Sequence, residues 1–111
     1  MITVYTLPEF EKSLKKLVKK YPSLKQEYSD FINKTENEGV QGNSLGNGFY
    51  KARLPVKSKG KGTRGGLRIV SHQEVIFHLD ETTIRLVVIY DKSEITSVDR
   101  KYLDNLINQH L

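Results

Sequence analysis

All eight glycines of this 111-residue chain lie between Gly39 and Gly66. Glycine weakens helices and strands and marks turns and loops. The chain therefore divides into a regular first third, a turn-rich middle and a regular last two fifths. A hydrophobic fraction of 37% and a charged fraction of 28% fit a globular protein and are too apolar for a disordered one. A chain of this length builds one core, so a single domain over residues 1–111 is expected.

The regular flanks can be read in detail. Residues 2–5 are β-prone and predict an opening strand. Thr6 and Glu9 have the spacing of a capping box with Pro8 in the first turn, which predicts a helix. Phe10, Leu14, Leu17 and Val18 give that helix one apolar face, and Lys15, Lys16, Lys19 and Lys20 cover the other. Pro22 ends it. A second helix from about Ser23 repeats the pattern with Leu24, Tyr28, Phe31 and Ile32, and Gly39 stops it. Beyond a polar connection over residues 42–48 the period changes to two. In residues 49–54, Tyr50, Ala52 and Leu54 point one way, and Lys51 and Arg53 the other. Residues 67–72, 75–79 and 84–90 read as three more strands, with hairpins at Gln73 and at Asp80-Glu81-Thr82. Thr96 and Asp99 can cap a last helix that turns Tyr102, Leu103, Leu106 and Ile107 to the core. The expected fold is α+β, ordered β-α-α-β-β-β-β-α, with a curved antiparallel sheet packed by helices.

Several function classes drop out. No cysteine is present, so disulfides, thiolate metal sites and thiol nucleophiles are excluded. No stretch approaches the roughly 18 apolar residues of a membrane span. The opening Met1-Ile2-Thr3-Val4 lacks a signal-peptide layout. A cytoplasmic location without membrane association is the expectation.

Charge is concentrated. The total is 18 basic against 13 acidic residues, for a net charge of +5. No acidic residue occurs from Gly39 to Gln73, while residues 51–68 hold Lys51, Arg53, Lys57, Lys59, Lys61, Arg64 and Arg68. The remainder of the chain is slightly acidic. One segment thus holds the whole positive excess, which points to a polyanion site. Within it, the run PVKSKGKGTRGG (residues 55–66) joins two predicted strands. Its glycines allow close approach to the main chain. Lys57, Lys59 and Lys61, at alternate positions, are expected to project into one concave space, with Lys51, Arg53 and Arg68 lining the same cleft. A solvated, non-specific basic loop is the plain alternative. Seven clustered cations repel one another unless an anion is bound, which favours a site.

Other motifs add less. Gly60, Gly62 and Gly65 match a dinucleotide fingerprint in spacing, but a strand follows where that fingerprint needs a helix. Tyr90 ends a strand, either as a packing residue or with its hydroxyl placed to act on a sugar hydroxyl. His72 and His78 can pair only if they share a sheet face. They lack a third ligand at recognisable spacing, so no metal or other cofactor is expected.

Taken together, Tyr50-Lys51-Ala52-Arg53-Leu54, the run Lys57-Ser58-Lys59-Gly60-Lys61-Gly62-Thr63-Arg64-Gly65-Gly66-Leu67-Arg68-Ile69, and Tyr90-Asp91-Lys92-Ser93-Glu94 resemble HigB-like toxins of the RelE/ParE superfamily. The likeness is strong in the second half of the chain, while the helices match only in length and pattern. The resemblance implies a type II toxin–antitoxin module. Its toxin would cut mRNA in the ribosomal A site, a cognate antitoxin would neutralise it, and operator DNA would be met only through the antitoxin complex. It nominates Lys57, Lys59, Lys61, Arg64, Arg68, Tyr90 and Lys92 as catalytic, with Lys51, Arg53, Lys59 and Arg64 as RNA-binding.

Those side chains suit the chemistry. Attack by a 2′-hydroxyl needs a base, stabilisation of a dianionic phosphorane, and a proton for the leaving 5′-oxygen. Arginines hold phosphate oxygens bidentately. A lysine among cations has a lowered pKa, so Lys57, Lys59 or Lys61 can serve as base. With no carboxylate in the loop, the expected endoribonuclease is metal-independent. Two other readings compete: a ParE-like, non-enzymatic gyrase inhibitor, and a plain nucleic-acid-binding module.

Overall fold

The computed structural model describes residues 1–59, 66–95 and 98–110. Strand β1 (Ile2–Thr6) leads into helices α1 (Pro8–Lys20) and α2 (Leu24–Glu38). These carry the chain to the far edge of the sheet. Strands β2 (Asn43–Gly46), β3 (Phe49–Leu54), β4 (Leu67–Ile76) and β5 (Glu81–Asp91) then meander back, and α3 (Arg100–His110) follows. The five-stranded sheet has the order β1-β5-β4-β3-β2. The three meander pairings are antiparallel, but β1 lies parallel to β5. The sheet is therefore mixed, not purely antiparallel as expected. After the two helices β2 runs opposite to β1, and the three antiparallel pairings that follow leave β5 beside β1 in the same direction. No described helix is long and apolar enough to cross a membrane.

The order of element types is the expected one, but two of the strands differ. The segments expected at 67–72 and 75–79 are one continuous strand, β4, which runs through Gln73. Residues 71–74 offer none of the usual glycine, proline, asparagine or aspartate turn residues. The reversal falls instead at a 3-10 turn (Phe77–Leu79), with Asp80 at a positive φ of 51°. The other new strand, β2, lies in the expected polar connection. It pairs with β3 across Asn47 and Gly48, both at positive φ (52° and 86°), as a tight two-residue hairpin turn requires.

The helix ends show why the sequence folds locally as it does. Pro8 opens α1, where its fixed φ is already helical. The expected capping box is not formed. The cap is Leu7 instead of Thr6: its backbone is extended, and its N–H donates to Leu86 O (3.1 Å), continuing the strand pairing up to the helix. The Thr6 hydroxyl donates to the Glu11 carboxylate instead (2.6 Å). Gly39 ends α2 at a φ of 95°, which favours glycine. Before α3, an Asp99 carboxylate oxygen accepts from the Lys101 N–H (3.2 Å).

Both faces of the sheet are packed. On one, Phe10 of α1 and Leu24 of α2 meet Leu54, Leu67, Ile69, Ile84, Leu86 and Ile89. On the other, Leu103, Leu106 and Ile107 of α3 cover Phe49, Val70, Val87 and Tyr90. Tyr102, expected in the core, is half-exposed (48%) because it falls on the outer side of α3.

Candidate functional site

Strand register builds the centre of the site. Arg53 of β3 is paired with Arg68 of β4, and Arg68 with Tyr90 of β5, so the three residues form one row across the sheet. Paired residues in antiparallel strands have Cβ atoms only about 4.5–5.5 Å apart. Lys51, two residues before Arg53, shares its face. A cavity of about 590 Å3 opens over this part of the sheet, and its charged lining is Lys51, Arg53, Arg68 and Lys92. No carboxylate is among its described lining residues. Arg68 is buried (4% exposed), and its Nη1 donates to Leu67 O at 3.2 Å. Guanidinium groups at adjacent register positions suit bidentate contact with phosphate oxygens.

A bulge decides which way Tyr90 faces. Val70 pairs with Val88 and Ser71 with Leu86, so β5 contains one extra residue at Val87. Ile84 and Leu86 face α1 and α2, yet beyond the bulge it is Ile89 that faces them and Tyr90 that turns to α3. Without the extra residue, strict alternation would put Tyr90 on the opposite face from its present one. Tyr90 is buried and lines a second, smaller cavity, which shares Leu45 and Lys51 with the first. Burial pushes its hydroxyl pKa up, with the Arg68 charge partly opposing.

The lysines of the loop do not converge as expected. Residues 57–59 form a 3-10 turn, not an extended segment. Three residues per turn send side chains two apart in different directions. Lys57 lines a separate cavity of about 480 Å3 between α2 and β3, along with Glu27 and Asp30. Lys59 turns inward. Its Nζ donates to a carboxylate oxygen of Asp91 at 2.7 Å and is 3.5 Å from the Tyr21 hydroxyl, which donates to the same oxygen at 2.7 Å. Both members of the Lys59–Asp91 pair are buried.

The lowered pKa expected of a lysine base is reversed at Lys59. Burial works against its charge, but the hydrogen bonds to Asp91 and Tyr21 outweigh burial and raise the pKa. Burial likewise disfavours the Asp91 carboxylate, and donors from Lys59, Ser93 and Tyr21 overcome that and hold its pKa well below the usual range. The turn is tied down along its length. The Lys57 N–H donates to Glu27 (2.8 Å), and the Ser58 N–H to the Ser23 hydroxyl (3.0 Å). Lys57 and Lys59 are thus not brought into the cavity of Arg68.

The histidines do not pair, because His72 is on β4 and His78 is exposed in the 3-10 turn. His72 packs edge-on against Phe49 with ring centres 4.9 Å apart, and burial, aided by Arg85, lowers its pKa. Lys61 and Arg64 lie outside the described residues.

Sequence reasoning missed the rim that β2 supplies. Gly42, Asn43 and Leu45 line the cation cavity. A Cβ on Gly42, whose φ is 95°, would sit 2.2 Å from Lys51 O, so only glycine lets this edge close on β3. The detectable signal was Asn47-Gly48, a strong hairpin dipeptide. Asp91 was also missed as the anchor of Lys59, and no local pattern announces a partner 32 residues away. Compared with known proteins, the chain matches no family model and no curated sequence.

Proposed function

We propose that the chain is a HigB-like toxin of the RelE/ParE type, an endoribonuclease that cuts mRNA in the ribosomal A site and is neutralised by a cognate antitoxin. The observation that supports it best is the register row Arg53–Arg68–Tyr90, set beside Lys51 and Lys92 over a cavity without a described carboxylate. This arrangement suits a phosphodiester with a sugar beside it. A surface that merely attracts polyanions needs no hydroxyl-bearing ring in register with two guanidinium groups.

In the reaction, the ribose 2′-oxygen attacks phosphorus and its proton goes to a base. The P–O5′ bond breaks, the 5′-oxygen takes up a proton, and the products are a 2′,3′-cyclic phosphate and a 5′-hydroxyl. Arg53 and Arg68 stabilise the phosphorane oxygens, on which negative charge builds. Tyr90, its pKa raised, is protonated at neutral pH and acts as a hydrogen-bond donor to the leaving oxygen. Of the three lysines considered as base, Lys59 is held protonated by Asp91 and Lys57 opens on another cavity; the proposed base is Lys61, which lies outside the described residues. A site with one weak base depends on its substrate being positioned, which is the ribosome's part.

The test is mRNA cleavage by the purified chain with and without ribosomes, mapped by primer extension. Cuts that need ribosomes and vanish in Arg68→Met establish the reading. Growth arrest by the wild type with no cutting in either condition would sink it in favour of a gyrase-type inhibitor.

A further inference from the structure

The smaller cavity beside the row, about 240 Å3, lies between the sheet and the start of α3. Val70, Tyr90, Val98 and Leu103 give it apolar walls, and the charged residues in its described lining are Lys51 and Arg100. It is smaller than the roughly 300–1,000 Å3 of sites for drug-sized ligands. A single flat ring system suits it. Lysine and arginine are hydrogen-bond donors only, so the two charged groups at this cavity favour a ring with acceptors at its edge.

Arg100 is held in place before any ligand arrives. Nη1 donates to Leu45 O (2.9 Å) and Nη2 to Gly46 O (2.7 Å), and the guanidinium lies 5.0 Å from the Phe49 ring centre. Its Nε is buried without a hydrogen-bond acceptor, the nearest Asp104 carboxylate oxygen being 3.7 Å away. A guanidinium fixed in this way keeps spare N–H groups and loses little entropy on binding. Leu45, which lines both cavities, is the extra residue of a bulge in β2. Arg100 therefore sets the wall between them.

We propose that this α3-covered cavity is a nucleobase subsite. It seats the base of the nucleotide whose phosphate lies over Arg53 and Arg68, and it prefers bases with a carbonyl edge. Guanine offers O6 and N7 to an arginine and uracil offers O4, whereas adenine and cytosine present an amino donor at the same edge. The subsite rests on the RNA reading above and assigns Arg100 a selective role within it.

The experiment is an NMR titration of the 15N-labelled full chain with 3′-GMP, 3′-UMP, 3′-AMP, 3′-CMP and ribose 5-phosphate. All five are expected to shift amides around Arg53 and Arg68. Only the GMP and UMP forms should also shift Val70 and Leu103, and should bind roughly tenfold more tightly than the others. Arg100→Gln should remove the GMP advantage and favour AMP, because glutamine pairs with adenine. Nucleotides that bind no better than ribose 5-phosphate, or leave Val70 and Leu103 unmoved in the wild type, overturn the subsite while sparing the phosphate cavity. No binding by any of the five overturns both.

Discussion

Lys59 and Arg68 come from the same basic run, and both are buried, yet they lie on opposite faces of the sheet with opposite surroundings. Lys59 faces α1 and α2, where Asp91 and Tyr21 satisfy its ammonium. Arg68 faces a cavity whose other described charged residues are all cations. The first arrangement fastens the turn to the fold. The second is suited to holding an anion from outside. Basic composition alone cannot separate the two, because the difference lies in which groups distant parts of the chain bring beside each side chain.

The sharpest way to break this contrast is a pair of substitutions. Arg68→Met should lower ribosome-dependent cleavage by roughly 10²–10³-fold, the usual loss of one donor to a developing oxyanion. Lys59→Met should instead cost about 3 kcal/mol of stability, because it leaves the buried Asp91 carboxylate without its counter-charge. Urea denaturation measures the second. If Lys59→Met kept its stability and lost turnover, the division of labour would be wrong.

Gly42→Ala should come next, at about 1–3 kcal/mol, the cost of a strained backbone position. It should also open the β2 rim and weaken RNA binding, which thermal melts and filter binding can follow separately.

The pH dependence of the Lys59–Asp91 pair sharpens the contrast further. Asp91 has a lowered folded pKa, so its stabilisation is present above the unfolded value of about 3.9 and is lost as pH falls through the folded one. Lys59 has a raised folded pKa, so its share is full below about 10.4 and is lost as pH rises through the folded value. The stability gap between wild type and Asp91→Asn should be flat near neutrality and close at both extremes.

The smallest effect is expected at Lys92, which is exposed on the rim. Lys92→Ala should weaken RNA binding and reduce its salt slope by about 1. A loss of turnover as large as that of Arg68→Met would instead place Lys92 among the reacting groups.

Much of the fold was legible because it depends on local periodicity. Phe10, Leu14, Leu17 and Val18 define the buried side of α1, and Gly39 ends α2 as its freedom at positive φ suggested. The Lys51 and Arg53 side of β3 was also readable, since alternation needs only neighbouring residues. The hairpin at Gln73 failed because residues 71–74 hold no glycine, proline, asparagine or aspartate, and β2 was overlooked although Asn47-Gly48 announced it. The parallel pairing of β1 with β5 depends on how many times the chain reverses between them, which no local window records.

By itself the sequence determined two amphipathic helices and the gathering of the positive excess into residues 51–68. Only the tertiary structure decided which of those cations lie together. A single extra residue at Val87 reverses the alternation of β5 and brings Tyr90 into line with Arg68 on the α3 face. A 3-10 turn, stapled to Ser23 and Glu27, sends Lys59 to Asp91 instead. Both outcomes follow from contacts between residues far apart in the chain, where a shift of one residue exchanges one face of the sheet for the other.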